Sequence, residues 1–124
     1  MRAKIRGTEI YFDIDGAGLV PQGGEMVERP TLFLLHGGPG GDHSGFKSSS
    51  AALRDVAQLV YVDHRGCGRS SPGNPAEFTL DNNIDDLDAS ASTWVWTGSP
   101  SSVRPTAAWW PWGMRSSIPI GWPT

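Results

Sequence analysis

Two short apolar runs constrain this chain more than any other feature. Thr31–Leu35 and Leu59–Val62 are continuous rather than alternating, so each needs cover on both faces, as buried strands of a parallel sheet do. The stretch between them, roughly Ser44 to Ala57, is predicted as a helix with Phe46, Leu53 and Val56 on one side. Strand, helix, strand is a βαβ unit, and its two strands run parallel. Upstream, Lys4–Arg6 and Glu9–Ile14 are β-prone around Gly7. Ile10, Phe12 and Ile14 alternate with Tyr11 and Asp13, which predicts a half-buried antiparallel hairpin. Asp15-Gly16 through Arg29-Pro30 has loop composition, as does His64–Pro75. Thr79 is placed to cap a helix through Ala89, with Leu80, Ile84 and Leu87 on one face and Asp81 in the first turn. The expected class is α/β.

Both apolar runs end in unusual loops. The first stops at His36-Gly37-Gly38-Pro39-Gly40-Gly41, the second at Asp63-His64-Arg65-Gly66-Cys67-Gly68-Arg69-Ser70. Open parallel sheets bind ligands beyond the carboxyl ends of their strands, which is where both loops fall. A glycine loop lets backbone N–H groups approach an oxyanion closely. It could also cradle phosphate, or be a turn with no chemistry. The phosphate readings fit badly: Gly45-Phe46-Lys47-Ser48 misses a P-loop by one inserted Phe, and no G-x-G-x-x-G follows a strand. Asp63 with Arg65 or Arg69 could form a buried ion pair. Asp63, Arg65, Gly66, Gly68, Arg69 and Ser70 are read as shaping the loop rather than performing chemistry. His36 is read as a loop-positioning residue. His36, His43, His64 and Cys67 are metal-ligand types, but their spacing matches no zinc pattern, so no metal is expected. Cys67 reads as a small residue in a tight loop, and as the single cysteine it excludes an internal disulfide.

The composition divides near Ala89. All 13 acidic residues lie at or before Asp88, whereas all six Trp lie after it, with five of the ten Pro. The sequence therefore divides into a partial α/β domain at 1–89 and a Trp/Pro-rich tail at 90–124 that is expected to be irregular or disordered. Pro100, Pro105, Pro111, Pro119 and Pro123 interrupt any helical run, and no Leu is present to build a core around the tryptophans. One reading makes the tail a segment that binds a partner. The other makes it foreign to the fold. The whole chain carries a net charge of −3, a poor balance for wrapping nucleic acid or lying on an anionic membrane. No stretch approaches the roughly 20 apolar residues of a membrane span, and no secretory signal is visible. A cytoplasmic protein is the expectation.

Taken together, Leu32–Gly41 (L-F-L-L-H-G-G-P-G-G) and Val60–Ser70 (V-Y-V-D-H-R-G-C-G-R-S), followed by Thr79–Ala89, resemble the proline iminopeptidase branch of the α/β-hydrolase superfamily. The resemblance implies the N-terminal part of an α/β-hydrolase fold, a hairpin plus a parallel βαβ unit. It implies that His36, Gly37, Gly38, Pro39 and Gly40 form an oxyanion-hole loop, with Gly37 and Gly38 supplying an amide and a cis bond between Gly38 and Pro39. It further implies a serine nucleophile on a G-x-S-x-G elbow, later Asp and His partners, no cofactor, and a peptide or amide substrate with an N-terminal proline. An esterase or epoxide hydrolase of the same superfamily is the alternative.

None of that triad is in the sequence. No G-x-S-x-G occurs, and all three histidines precede the point where the serine belongs, so the chain is predicted inactive. The genetic code offers a reason. If one nucleotide were lost near codon 89, each proper codon would take the third base of one written codon and two bases of the next. Trp has a single codon and forces the result: Trp94–Val95 gives Gly, Trp96–Thr97 Asp, Trp109–Trp110 Val, Trp110–Pro111 Ala and Trp112–Gly113 Gly. One permitted reading carries a strand followed by G-T-S-Y-G-G, its serine arising at the Arg104/Pro105 junction. The tail is thus expected to be out of frame.

Overall fold

Leu59–Val62 is the centre of the molecule. The computed structural model describes residues 1–37, 40–95 and 107–109. Strand β1 (Arg2–Ile5) pairs antiparallel with β2 (Thr8–Asp15) across an Arg6-Gly7 turn in which both residues have positive φ. Next come β3 (Leu19–Gln22) and β4 (Glu25–Glu28), then β5 (Thr31–Leu35) and β6 (Gln58–Val62). Helix α1 spans Leu80–Val95, and β7 spans Ala107–Trp109. The main sheet has the order β1-β2-β6-β5-β7. β5 and β6 are parallel, Leu32 opposite Leu59 and Leu35 opposite Val62, as the βαβ pattern requires. β2 closes the other side of β6 antiparallel, with Phe12 opposite Val62. β7 lies parallel to β5.

The two apolar runs are buried on both faces. Val60 and Val62 join Phe33, Leu35, Ile5, Ile10 and Phe12 on one side, and Leu87, Ala89 and Ala91 pack against them. Leu59 and Tyr61 join Leu34 and Ala57 on the other side, with Leu32 and Phe46 against them. Tyr61 and Leu59 are wholly inaccessible.

Three expectations are corrected. The connector from Asp15 to Pro30 contains a second hairpin, β3–β4, turned by Gly23 and Gly24. Their φ values of 60° and 87° are those of a type I′ turn, which glycine adopts without strain. The helix expected from Ser44 to Ala57 is instead two short 3-10 segments, His43–Phe46 and Ala51–Asp55. Gly45 and the run Ser48-Ser49-Ser50 are weak helix formers, and Ser49 and Ser50 both return hydroxyl bonds to the Phe46 carbonyl. Leu53 and Val56, expected inside, are exposed. In α1 the Leu80–Ile84–Leu87 stripe is only partly turned inward: Leu87 packs against the core but Leu80 is exposed, while Asp86 and Ser90 are buried. Thr79 does cap the helix, its Oγ1 accepting from the Asn82 amide at 3.2 Å. The helix continues past Ala89 because residues 90–95 contain neither Gly nor Pro. No helix among the described residues is long and apolar enough to cross a membrane.

Candidate functional site

The site is built where β5 and β6 end side by side. His36 leaves β5 buried, and its Nε2 accepts the His64 amide at 3.1 Å. In return His64 Nε2–H donates to the His36 carbonyl at 3.2 Å, and the rings meet edge to face at 4.5 Å. Accepting at Nε2 requires the His36 imidazole to be neutral, whereas the His64 ring can donate in either protonation state. Burial lowers both from the ordinary histidine range, and His64, with His36 beside it, falls to about 4. Gly41 folds back over the start of the loop. A Cβ there would lie 3.0 Å from the Gly37 carbonyl and 3.2 Å from His36 Nδ1. Gly38 and Pro39, with the cis bond expected between them, lie outside the described residues. Gly40 is described and has φ of 87°.

Asp42 caps the following 3-10 segment by accepting from Ser44 N at 2.9 Å. His43 then turns inward. Its backbone N–H and its Nδ1–H both reach Asp63 Oδ1, each at 2.8 Å. Asp63 is fully buried, and its Oδ2 accepts the Arg69 amide at 2.9 Å. The Asp63 carbonyl takes the Ser70 hydroxyl at 2.7 Å, and Ser70 Oγ in turn accepts from Tyr11 N at 2.9 Å. Gly68 passes so close to the Asp63 carboxylate that a Cβ would collide with it, and Gly66 meets the Phe78 ring in the same way. Cys67 is half-buried, with its amide on the His64 carbonyl at 2.9 Å.

The ion pair expected between Asp63 and Arg65 or Arg69 is not what forms. Arg65 turns to α1 and grips Asp86 with two bonds of 2.7 Å, adding Glu77 at 3.1 Å. Asp86 holds the guanidinium firmly protonated. Arg6 joins Asp86 at 3.0 Å. The Arg69 side chain lies over the Tyr11 ring and donates to its hydroxyl at 3.1 Å. Sequence reading therefore missed Asp86, Glu77 and Arg6 as partners and His43 as the side chain on Asp63. No signal in the sequence set Asp86 apart from the other three aspartates of α1. Among the described residues no group of three His, Cys, Asp or Glu side chains could hold a metal ion.

A glycine loop at the end of a buried parallel strand, braced by a second loop, lets backbone N–H groups approach developing negative charge. The family model of the alpha/beta hydrolase fold matches residues 30–94, which is more than half of the chain. The chain belongs to the α/β-hydrolase family. This α/β-hydrolase chain is 38% identical over 86 residues to a proline iminopeptidase of Lactobacillus helveticus, covering 67% of this chain and 26% of that one. A crystal structure of a proline iminopeptidase-related protein from Thermus thermophilus superposes with a TM-score of 0.62 at 30% identity, covering 75% of this chain and 31% of that one. A thermophilic esterase from Thermogutta terrifontis gives 0.61 at 27% identity, over 80% of this chain and 34% of that one. The α/β-hydrolase chain thus resembles a proline iminopeptidase over part of its length and spans about a quarter of the relatives it matches.

Proposed function

We propose that residues 1–89 carry the oxyanion side of a serine peptidase that releases N-terminal proline. The glycine loop after β5 carries this reading, because it has no Cβ at Gly37, Gly40 or Gly41 and Gly41 leaves little room for one beside Gly37 and His36. The likeness to proline iminopeptidases supports the peptide substrate class. In the whole enzyme a serine would attack the peptide carbonyl, and arch amides would receive the charge that develops on its oxygen. An esterase is the second reading, favoured by the likeness to the Thermogutta enzyme.

This chain itself is proposed to be inactive and out of frame after Ala89. It contains no G-x-S-x-G, and its three histidines are committed, His36 and His64 to each other and His43 to Asp63. Resequencing codons 85–125 from genomic DNA is the test. One added base that restores G-x-S-x-G is expected. A confirmed frame with nothing coherent in the shifted one would instead make the Trp/Pro tail genuine and favour the partner-binding module. As a second check, the purified chain should release no arylamine from proline arylamide above a blank treated with a serine-directed inhibitor.

A further inference from the structure

The glycine arch has two feet. One is His36, bonded in both directions to His64. The other is His43, and nothing in the proposed chemistry uses it. We propose that His43 is a positioning residue that pins the exit of the arch to the end of β6 through Asp63.

Asp63 is fully buried, and a buried charge must be met by donors. Among the described residues Oδ2 receives the Arg69 amide, so the bracing of Oδ1 falls to the two donors of His43. Neither arginine side chain of the second loop replaces them, since Arg65 is spent on Asp86 and Glu77 and Arg69 on Tyr11. The His43 ring is itself fixed, stacked on Tyr11 at 5.3 Å and tilted against Tyr61 at 6.2 Å. A Cβ added at Gly41 would lie 3.0 Å from the Gly37 carbonyl and 3.2 Å from His36 Nδ1, so the exit of the loop lies close beside its entrance and a restraint on one bears on the other.

The significance of the pin rests on the reading of the arch as an oxyanion loop, but its existence does not. The test is therefore made without catalysis, by ¹⁵N relaxation on the full chain. The wild-type Gly40 and Gly41 amides should have order parameters near the rigid value of about 0.85. His43→Phe keeps a ring between Tyr11 and Tyr61 and deletes the Nδ1 donor; the arch values should fall below about 0.6, with Val60 and Tyr61 unchanged. His43→Asn places Nδ2 at the same branch position as the lost Nδ1 and should restore them, which ring packing alone would not do.

An arch that stays rigid in His43→Phe, or one that His43→Asn fails to restore, overturns the proposal. So does an arch already mobile in the wild type, a result that needs no variant to fold. A rigid, His43-dependent arch in a chain whose restored gene encodes no peptidase would sink the function and leave the pin standing.

Discussion

A proton on His64 would have to sit among buried groups with His36 beside it, and the residue resists it. Its folded value of about 4 lies well below the unfolded 6.5. The unfolded chain therefore binds the extra proton first as pH falls. Stability from this source is complete above about pH 6.5, declines through the interval down to about 4, and is then lost. The shift corresponds to roughly 3 kcal/mol. His36 moves in the same direction, also through burial, and adds to the loss. Urea unfolding at pH 7 and pH 5 should show a clearly lower midpoint at pH 5, and His64→Phe should flatten the difference. Equal midpoints for the wild type would refute the neutral pair. At the same scale, Gly68→Ala should destabilise the chain by about 1–3 kcal/mol in urea melts. The new Cβ meets the Asp63 carboxylate at a φ of 51°, and a change within a few tenths would mean that the carboxylate has room to retreat.

Helix α1 is held to the sheet by charge more than by grease. Arg65 and Arg6 converge on buried Asp86, while Leu87 is the one large apolar side chain of α1, among the described residues, packed against the core. Arg65→Met should cost roughly 3 kcal/mol or more, because it strands Asp86 with only the half-exposed Arg6. Arg65→Lys should fail to rescue, since one ammonium cannot reproduce the paired bonds. A loss under about 1 kcal/mol in equilibrium unfolding would contradict both. This docking also explains what the sequence concealed. Strands β1, β2, β5 and β6 were legible from alternation and continuous apolar runs, and the Thr79 cap from its position. The polar docking of α1 was not, because its partners lie in the first turn of the chain and in the loop after β6, far apart in sequence. Val20 to Val27 around Gly23-Gly24 did carry a hairpin signal, masked by flanking Gly and Pro. His43 was invisible because its role depends on the ring meeting a carboxylate 20 residues away.

For the molecule as a whole, protection should radiate from β6. It is paired on both sides, by β2 and β5, and its residues Leu59–Val62 are all at most 4% exposed. Native-state hydrogen exchange should find the slowest amides there, with β4, exposed along its whole length, opening earliest. Slower exchange in the β3–β4 hairpin than in β6 would reverse that ordering.

The position of β6 also sets a clock. Its antiparallel partner β2 lies about fifty residues earlier, Phe12 opposite Val62. The β1–β2 and β3–β4 hairpins close over a few residues and can form within microseconds. The β2–β6 ladder must first gather a long intervening stretch, and that entropy is spent before any contact repays it. Refolding should therefore be limited by the arrival of β6 in a groove whose walls, β2 and β5, are still unjoined, and a growing chain cannot begin its core until Val62 has been synthesised.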